Sequence, residues 1–299
     1  MKKYLIFLLI SLSTLTVHAQ KIIDNLLVIG KRESFSSRIL DEKRVVWIYL
    51  PSDYSELSEK NYPVVYLLDG GWNFSALTGI VHHLSDILGN KLVPHMIVVG
   101  ILNTDRTRDL TPTISTSDES GKNVSRLKNS GAGEKFVSFL KNELIPHIDS
   151  AYHTSTYRIL IGHSLGGLTV MNVLINHTNL FNAYVAIDPS MWWDNKKLLI
   201  QAKEAMKEKI FEGKSLFLAI ANTMPVGMDT IQVQTDTSAS TIHIRSIFLL
   251  RNILQQNPGN ELNWSYKYYD SDTHGSVPMI AEYDALRFIF KNYKSPDRK

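Results

Sequence analysis

The segment Gly162-His163-Ser164-Leu165-Gly166 sets a serine between two glycines, directly after the β-rich run Tyr157 to Ile161. A helix-compatible run with Leu168, Val170, Met171, Val173 and Leu174 follows it. Strand, sharp turn and helix in that order make a nucleophile elbow. A serine hydroxyl attacks poorly unless the backbone lifts it to where a base and an oxyanion hole can reach it, and flanking glycines leave room for that turn. A chain built around such an elbow is constrained to an α/β architecture, with the serine at the carboxyl edge of a strand.

The rest of the chain alternates accordingly. Glu33 to Ile39 and Arg44 to Leu50 suit an antiparallel hairpin at a sheet edge. Further strands are expected at Val64 to Leu68, His95 to Leu102, Ala183 to Ile187, Ser215 to Ala221 and Asn263 to Tyr269. Helical periodicity covers Phe74 to Leu88, Gly133 to Tyr152, Asn195 to Lys209, Ala239 to Gln255 and Pro278 to Tyr293. This alternation predicts a mainly parallel sheet with an antiparallel edge and helices on both faces. The polar stretch Thr104 to Gly133 reads as a flexible loop over the sheet edge.

The N-terminus combines Lys2 and Lys3, an apolar run from Tyr4 to about Leu15, and Val17-His18-Ala19. That is the layout of a secretory signal peptide over residues 1–19, cut before Gln20, and the run is short for a membrane span. Residues 20–299 then suit one α/β domain that is secreted or periplasmic, with no stable membrane anchor after cleavage. The chain has no cysteine, which excludes disulfides and thiolate metal sites. Its formal charge of +3 falls to +1 once Lys2 and Lys3 are lost, so no electrostatic case for nucleic acid remains. No cofactor or metal is expected, and the expected partner is a small ester.

Several groups fall at strand ends. His274, on the loop after the last strand, fits the general base, which comes last in chain order behind an elbow serine. His82, His83 and His243 lie in predicted helices and are set aside, while His163 is expected to pack or orient the elbow. Backbone N–H donors for an oxyanion are expected from Leu165 and from Gly71, with Trp72 close behind, in Asp69-Gly70-Gly71-Trp72. The acid is expected on the loop after the penultimate strand, where Asp229 is the first carboxylate; Asp188 and Asp236 stay open as alternatives. Trp192 and Trp193 offer a flat apolar wall to substrate. Arg106 could clamp an anionic oxygen, while Arg108 and Asp109 are better placed to pin the loop as an ion pair.

Leu68-Asp69-Gly70-Gly71, Gly162-His163-Ser164-Leu165-Gly166-Gly167, Pro189-Ser190-Met191-Trp192-Trp193 and His274-Gly275-Ser276-Val277-Pro278 together resemble the esterase branch of the α/β hydrolases. That branch includes esterase D, feruloyl and acetyl-xylan esterases, mycolyltransferases and the enterobactin (siderophore) esterases. The resemblance runs from about Ser34 to Tyr293 and is nearest to the siderophore group. It implies the α/β-hydrolase fold and a serine carboxylesterase mechanism through Ser164 and His274, with siderophore esters leading among substrates. Feruloyl or acetyl-sugar esters and acyl transfer are the alternatives within that chemistry. A binding protein that keeps the fold without the chemistry is the alternative outside it.

Overall fold

The computed structural model describes residues 27–295, so the segment read as an export signal lies outside the described residues. The elements run β1 (Lys31–Ser37), β2 (Glu42–Tyr49), β3 (Tyr62–Leu67), α1 (Gly70–Ser85), β4 (Ile97–Ile101), α2 (Arg106–Asp109), α3 (Gly133–Phe139) and α4 (Ile145–Ala151). They continue with β5 (Thr154–His163), α5 (Leu165–Asn176), β6 (Ala183–Ile187), α6 (Trp193–Glu208), β7 (Ser215–Ala221), α7 (Gln232–Thr235), α8 (Ile242–Gln255), β8 (Asn263–Tyr269) and α9 (Val277–Ile289).

One sheet holds the strands in the order β1-β2-β4-β3-β5-β6-β7-β8. β2 pairs antiparallel with both β1 and β4, and every other pair is parallel, so β2 alone runs against the rest. This is the α/β-hydrolase fold, with the antiparallel edge that the sequence predicts. The central strands are apolar on both faces because both are covered. Val65, Leu67, Ile159 and Ile161 pack with Leu77 and Val81 of α1 and Ala281 and Ala285 of α9. Tyr66 and Leu160 face the other way, toward Met171 of α5, Leu198 of α6 and Leu250 of α8.

The chain leaves β3 to build β4 on one side and later returns to add β5 on the other. Such a switch in strand order opens a crevice at the carboxyl ends, where ligands bind in sheets of this type. The loops after β3 and β5 meet there.

Two segments differ from expectation. The helix predicted over Gly133 to Tyr152 is α3 and α4 joined by a π turn at Leu140–Leu144, with Pro146 in the first turn of α4. Proline lacks the N–H that would continue an α-ladder, which accounts for the local widening. The polar stretch Thr104 to Gly133 contains α2, a 3₁₀ turn at Ser125–Asn129 and a bridge between Ser117 and Asn123. It lies over the carboxyl ends and not merely the sheet edge, since Thr107, Asp118 and Glu119 border the same cavity as Ser164. Its start is pinned by the predicted Arg108 to Asp109 pair, at 2.7 Å, and by Arg44, which reaches the other Asp109 oxygen at 2.7 Å.

Candidate active site

Ser164 follows β5 directly with φ 60° and ψ −116°, a backbone conformation that L-residues avoid. Its surroundings hold it there: Ser164 N–H donates to the Ile187 carbonyl at 2.9 Å, and the Ser164 carbonyl accepts from Leu168 and Ser190 N–H at 2.9 and 3.0 Å. Strain of this kind, on the order of 1–3 kcal/mol, persists only where neighbours over-determine it. The glycines are steric requirements. A Cβ on Gly162 would run into the Gly166 carbonyl, and one on Gly167 would lie 2.9 Å from Pro189 Cα. Leu165 opens α5, so its N–H is one of the first-turn donors that have no partner within a helix.

The loop after β3 approaches from the other side. Asp69 takes a left-handed conformation and caps α1, and a Cβ on Gly166 would lie 3.2 Å from Asp69 Oδ2. Gly70 is needed because a Cβ would sit 2.6 Å from the Gly100 carbonyl carbon. Gly71 lies in the first turn of α1, with open space at its Cβ position. Trp72 N–H donates to the Asp69 carbonyl at 2.9 Å, which commits it to the turn and removes it as an oxyanion donor.

His274 lies on the loop between β8 and α9, and its Nδ1 is 2.5 Å from Asp188 Oδ2. Asp229 is elsewhere. Its Oδ1 accepts from Ile231 and Gln232 N–H at 2.8 Å, capping α7, and it does not border the cavity. Asp236 likewise accepts from Ser238 and Thr241 in its own turn. The expectation for Asp229 is therefore corrected in favour of Asp188. The reason is geometric. Asp188 follows β6 but crosses to the end of β7, donating its N–H to the Ala219 carbonyl at 2.8 Å and accepting Ala221 N–H on Oδ1 at 3.0 Å. A residue of one strand thus occupies the place that a loop after the next strand would fill.

Asp188 is fully buried, yet its carboxyl is held well below the ordinary range. Burial pushes it up, and hydrogen bonds from His243 and His274 outweigh that effect. His243 Nε2 lies 2.9 Å from the same Oδ2, and Trp192 Nε1–H donates to His243 Nδ1 at 3.1 Å. His163 packs against His274 with ring centroids 4.3 Å apart and the planes tilted by 42°. Burial first, and then His274, lower the His163 imidazole to about 4.

A cavity of about 770 Å³ opens over these groups, bordered by Ser164, Leu165, Ser190, Trp192, His243 and His274 among others. That volume suits a small-molecule ligand. Arg106 borders it too, but as a structural clamp: its Nε and Nη2 grip buried Asp69 at 2.7 and 2.9 Å, and Nη2 also reaches the His163 carbonyl at 3.2 Å. Trp193 is 2 % exposed, with its indole N–H on the Thr113 carbonyl at 2.9 Å, so it is chiefly core where Trp192 is wall.

The sequence matches the family described as Putative esterase over residues 37–239, more than half of the chain. The chain belongs to that family. An IroE-like serine hydrolase from Shewanella oneidensis is 34% identical, with a TM-score of 0.81, over 89% of this chain and 81% of that one. Ferri-bacillibactin esterase BesA of Bacillus subtilis is 29% identical over 168 residues, 53% of this chain and 58% of its own. A siderophore enterobactin esterase of Emericella nidulans is 26% identical over 184 residues, 58% of this chain and 59% of its own. The chain thus spans less than two thirds of the curated relatives it matches. Within this member of the family, two site residues escape sequence reasoning. His243 sits in the first turn of α8 and was set aside as helical, although a helix start can face a sheet end as readily as a loop can. Ser190, whose Oγ is 3.3 Å from Ser164 Oγ, lies inside a motif read for its tryptophans.

Proposed function

We propose that the protein is a serine-dependent carboxylic ester hydrolase acting through an acyl-enzyme, with siderophore esters as its leading substrate class. The observation that carries this reading is Ser164, strained on its elbow, sharing one cavity with a histidine whose Nδ1 is held by a buried aspartate. With Nδ1 committed to Asp188, His274 has Nε2 left for the serine. Ser164 Oγ attacks the ester carbonyl carbon as its proton passes to His274. Leu165 and Gly71 N–H groups hold the oxyanion, since both belong to first helical turns that meet beside the elbow. The tetrahedral adduct collapses, the C–O bond to the alcohol breaks, and His274 returns the proton to that alcohol. Water, deprotonated by His274, then attacks the acyl-Ser164 ester; the acyl C–Oγ bond breaks, His274 passes that proton to Ser164 Oγ, and the acid leaves.

The siderophore reading rests on the relatives named above and on a cavity large enough for more than a short acyl chain. Export rests on the lysines, apolar run and Val17-His18-Ala19 of residues 1–19. Among the described residues, no helix is long and apolar enough to cross a membrane.

A short-chain nitrophenyl ester tests the chemistry. Wild type should turn it over, and Ser164→Ala should lower kcat by at least 10³-fold, on the scale seen when serine-hydrolase nucleophiles are removed. Turnover indifferent to Ser164→Ala overturns the proposal. A panel of siderophore, feruloyl and acetyl-sugar esters then ranks substrates by kcat/KM, and a preference for sugar esters would retire the siderophore assignment.

A further inference from the structure

His243 and Trp192 form a second chain of hydrogen bonds into the same carboxylate. Asp188 Oδ2 is shared by His274 Nδ1 at 2.5 Å and His243 Nε2 at 2.9 Å, while Oδ1 is satisfied by Ala221 N–H. On its far side His243 Nδ1 receives the Trp192 indole N–H at 3.1 Å. An indole nitrogen donates and never accepts, so Nδ1 must present its lone pair, and the imidazole proton must sit on Nε2, aimed at Asp188. The opposite tautomer would set two N–H groups against each other at Trp192 and two lone pairs against each other at Asp188. Asp188 and Trp192 thereby select the same His243 tautomer from opposite sides of the ring.

His243 also packs edge-on against His274, with centroids 5.0 Å apart at 86°, while His163 packs tilted against the same ring. His274 is 40 % exposed, and these neighbours restrain its imidazole. Resting on the esterase reading above, we propose that His243 is a positioning residue for the Asp188–His274 pair, and that Trp192, besides walling the cavity, holds the His243 ring in place through Nδ1. His243 gives the buried carboxylate a second donor, which keeps Oδ2 aimed at His274 as that ring gains and loses its proton. Without it, a fully buried oxygen loses a hydrogen bond and the ring loses a neighbour.

The test is a set of variants assayed on a neutral nitrophenyl ester. His243→Phe should lower kcat by about 10–100-fold with KM within threefold, because the step served is chemistry and not binding. His243→Gln, whose amide can donate to Asp188 as Nε2–H does, should recover most of that loss. Trp192→Phe keeps an aromatic wall but removes the N–H. It should lower kcat several-fold in wild type and have no further effect on kcat in the His243→Gln background, where no imidazole remains for the indole to hold.

A kcat for His243→Phe within twofold of wild type overturns the proposal, as does His243→Gln performing no better than Phe. So does an equal Trp192→Phe penalty in both backgrounds. If His243→Phe does not fold, the Trp192→Phe pair decides alone. An independent reading comes from ¹⁵N-histidine NMR of the intact protein: His243 should carry its proton on Nε2 in wild type, and its Nδ1 signal should shift in Trp192→Phe as the indole hydrogen bond is lost. A wild-type proton on Nδ1 refutes the tautomer argument whether or not the ester is turned over. A failed esterase assay with the NMR result intact would instead indict the activity assignment.

Discussion

Asp188 and Glu282 are both carboxylic acids with no exposed surface, and they behave in opposite ways. Asp188, at the carboxyl ends of the strands, receives hydrogen bonds from Ala221, His243 and His274 and is held ionised. Glu282, in α9, has neither oxygen hydrogen-bonded, and burial alone pushes its carboxyl well above the ordinary range, toward the neutral acid. Depth therefore does not decide whether a buried acid carries charge. Partners do, and the fold supplies them only where the strand ends converge.

The most damaging way to erase that difference is Asp188→Asn, which keeps the shape and removes the charge. Ester turnover should fall on the order of 10³–10⁴-fold, as when the aspartate of a serine-protease triad is replaced. Asp229→Asn in the same assay should stay within about twofold. A large loss at Asp229 with little at Asp188 would reverse the assignment.

Stability against pH sharpens the contrast next. His163 is lowered to about 4 from 6.5, so its contribution is fully present above 6.5 and is lost as pH falls toward 4. The difference corresponds to about 3 kcal/mol. In denaturant melts the stability of wild type relative to His163→Phe should therefore fall as the solution is acidified through that window. A difference between the two that does not change with pH would show that His163 does not make this contribution. Asp188 acts in the same direction at lower pH, since a lowered carboxyl stabilises above its ordinary value and not below it.

Glu282 has the opposite sign. A raised carboxyl stabilises below its ordinary 4.5 and loses that contribution as pH rises through its folded value. Glu282→Met should thus stabilise by about 1–3 kcal/mol at pH 7.5 and by less near pH 4.5, read as midpoint shifts in urea. A destabilised variant at neutral pH would mean that Glu282 has a partner. The smallest effect is expected at Ser190: the hydroxyl contact to Ser164 is long, and Ser190→Ala should cost tenfold or less in kcat.

The elbow is the most legible part of the site because its requirements are local. Gly162, Ser164 and Gly166 are spaced by the turn itself, and apolar periodicity marks the strand and helix around them. The edge hairpin, and the parallel strands at Ala183–Ile187, Ser215–Ala221 and Asn263–Tyr269, are legible for the same reason. The acid is not. Chain order points past β7 to Asp229, and nothing in spacing shows that Asp188 leans from β6 across to β7. Arg106 reads as a free cation because Asp69 is 37 residues away in the chain and touches it only in the fold. His243 lies in a helix, and its value depends on where that helix begins.

The sequence by itself therefore determined the alternating architecture, the serine on its elbow and the position of His274 after the last strand. Each is written in short-range spacing, turn chemistry or periodicity. Only the tertiary structure decided which carboxylate holds His274, that His243 shares it and that Trp192 hydrogen-bonds to His243. Those are contacts between residues 51 to 86 positions apart, and a hydrogen bond between distant residues leaves no periodic trace in the chain that makes it.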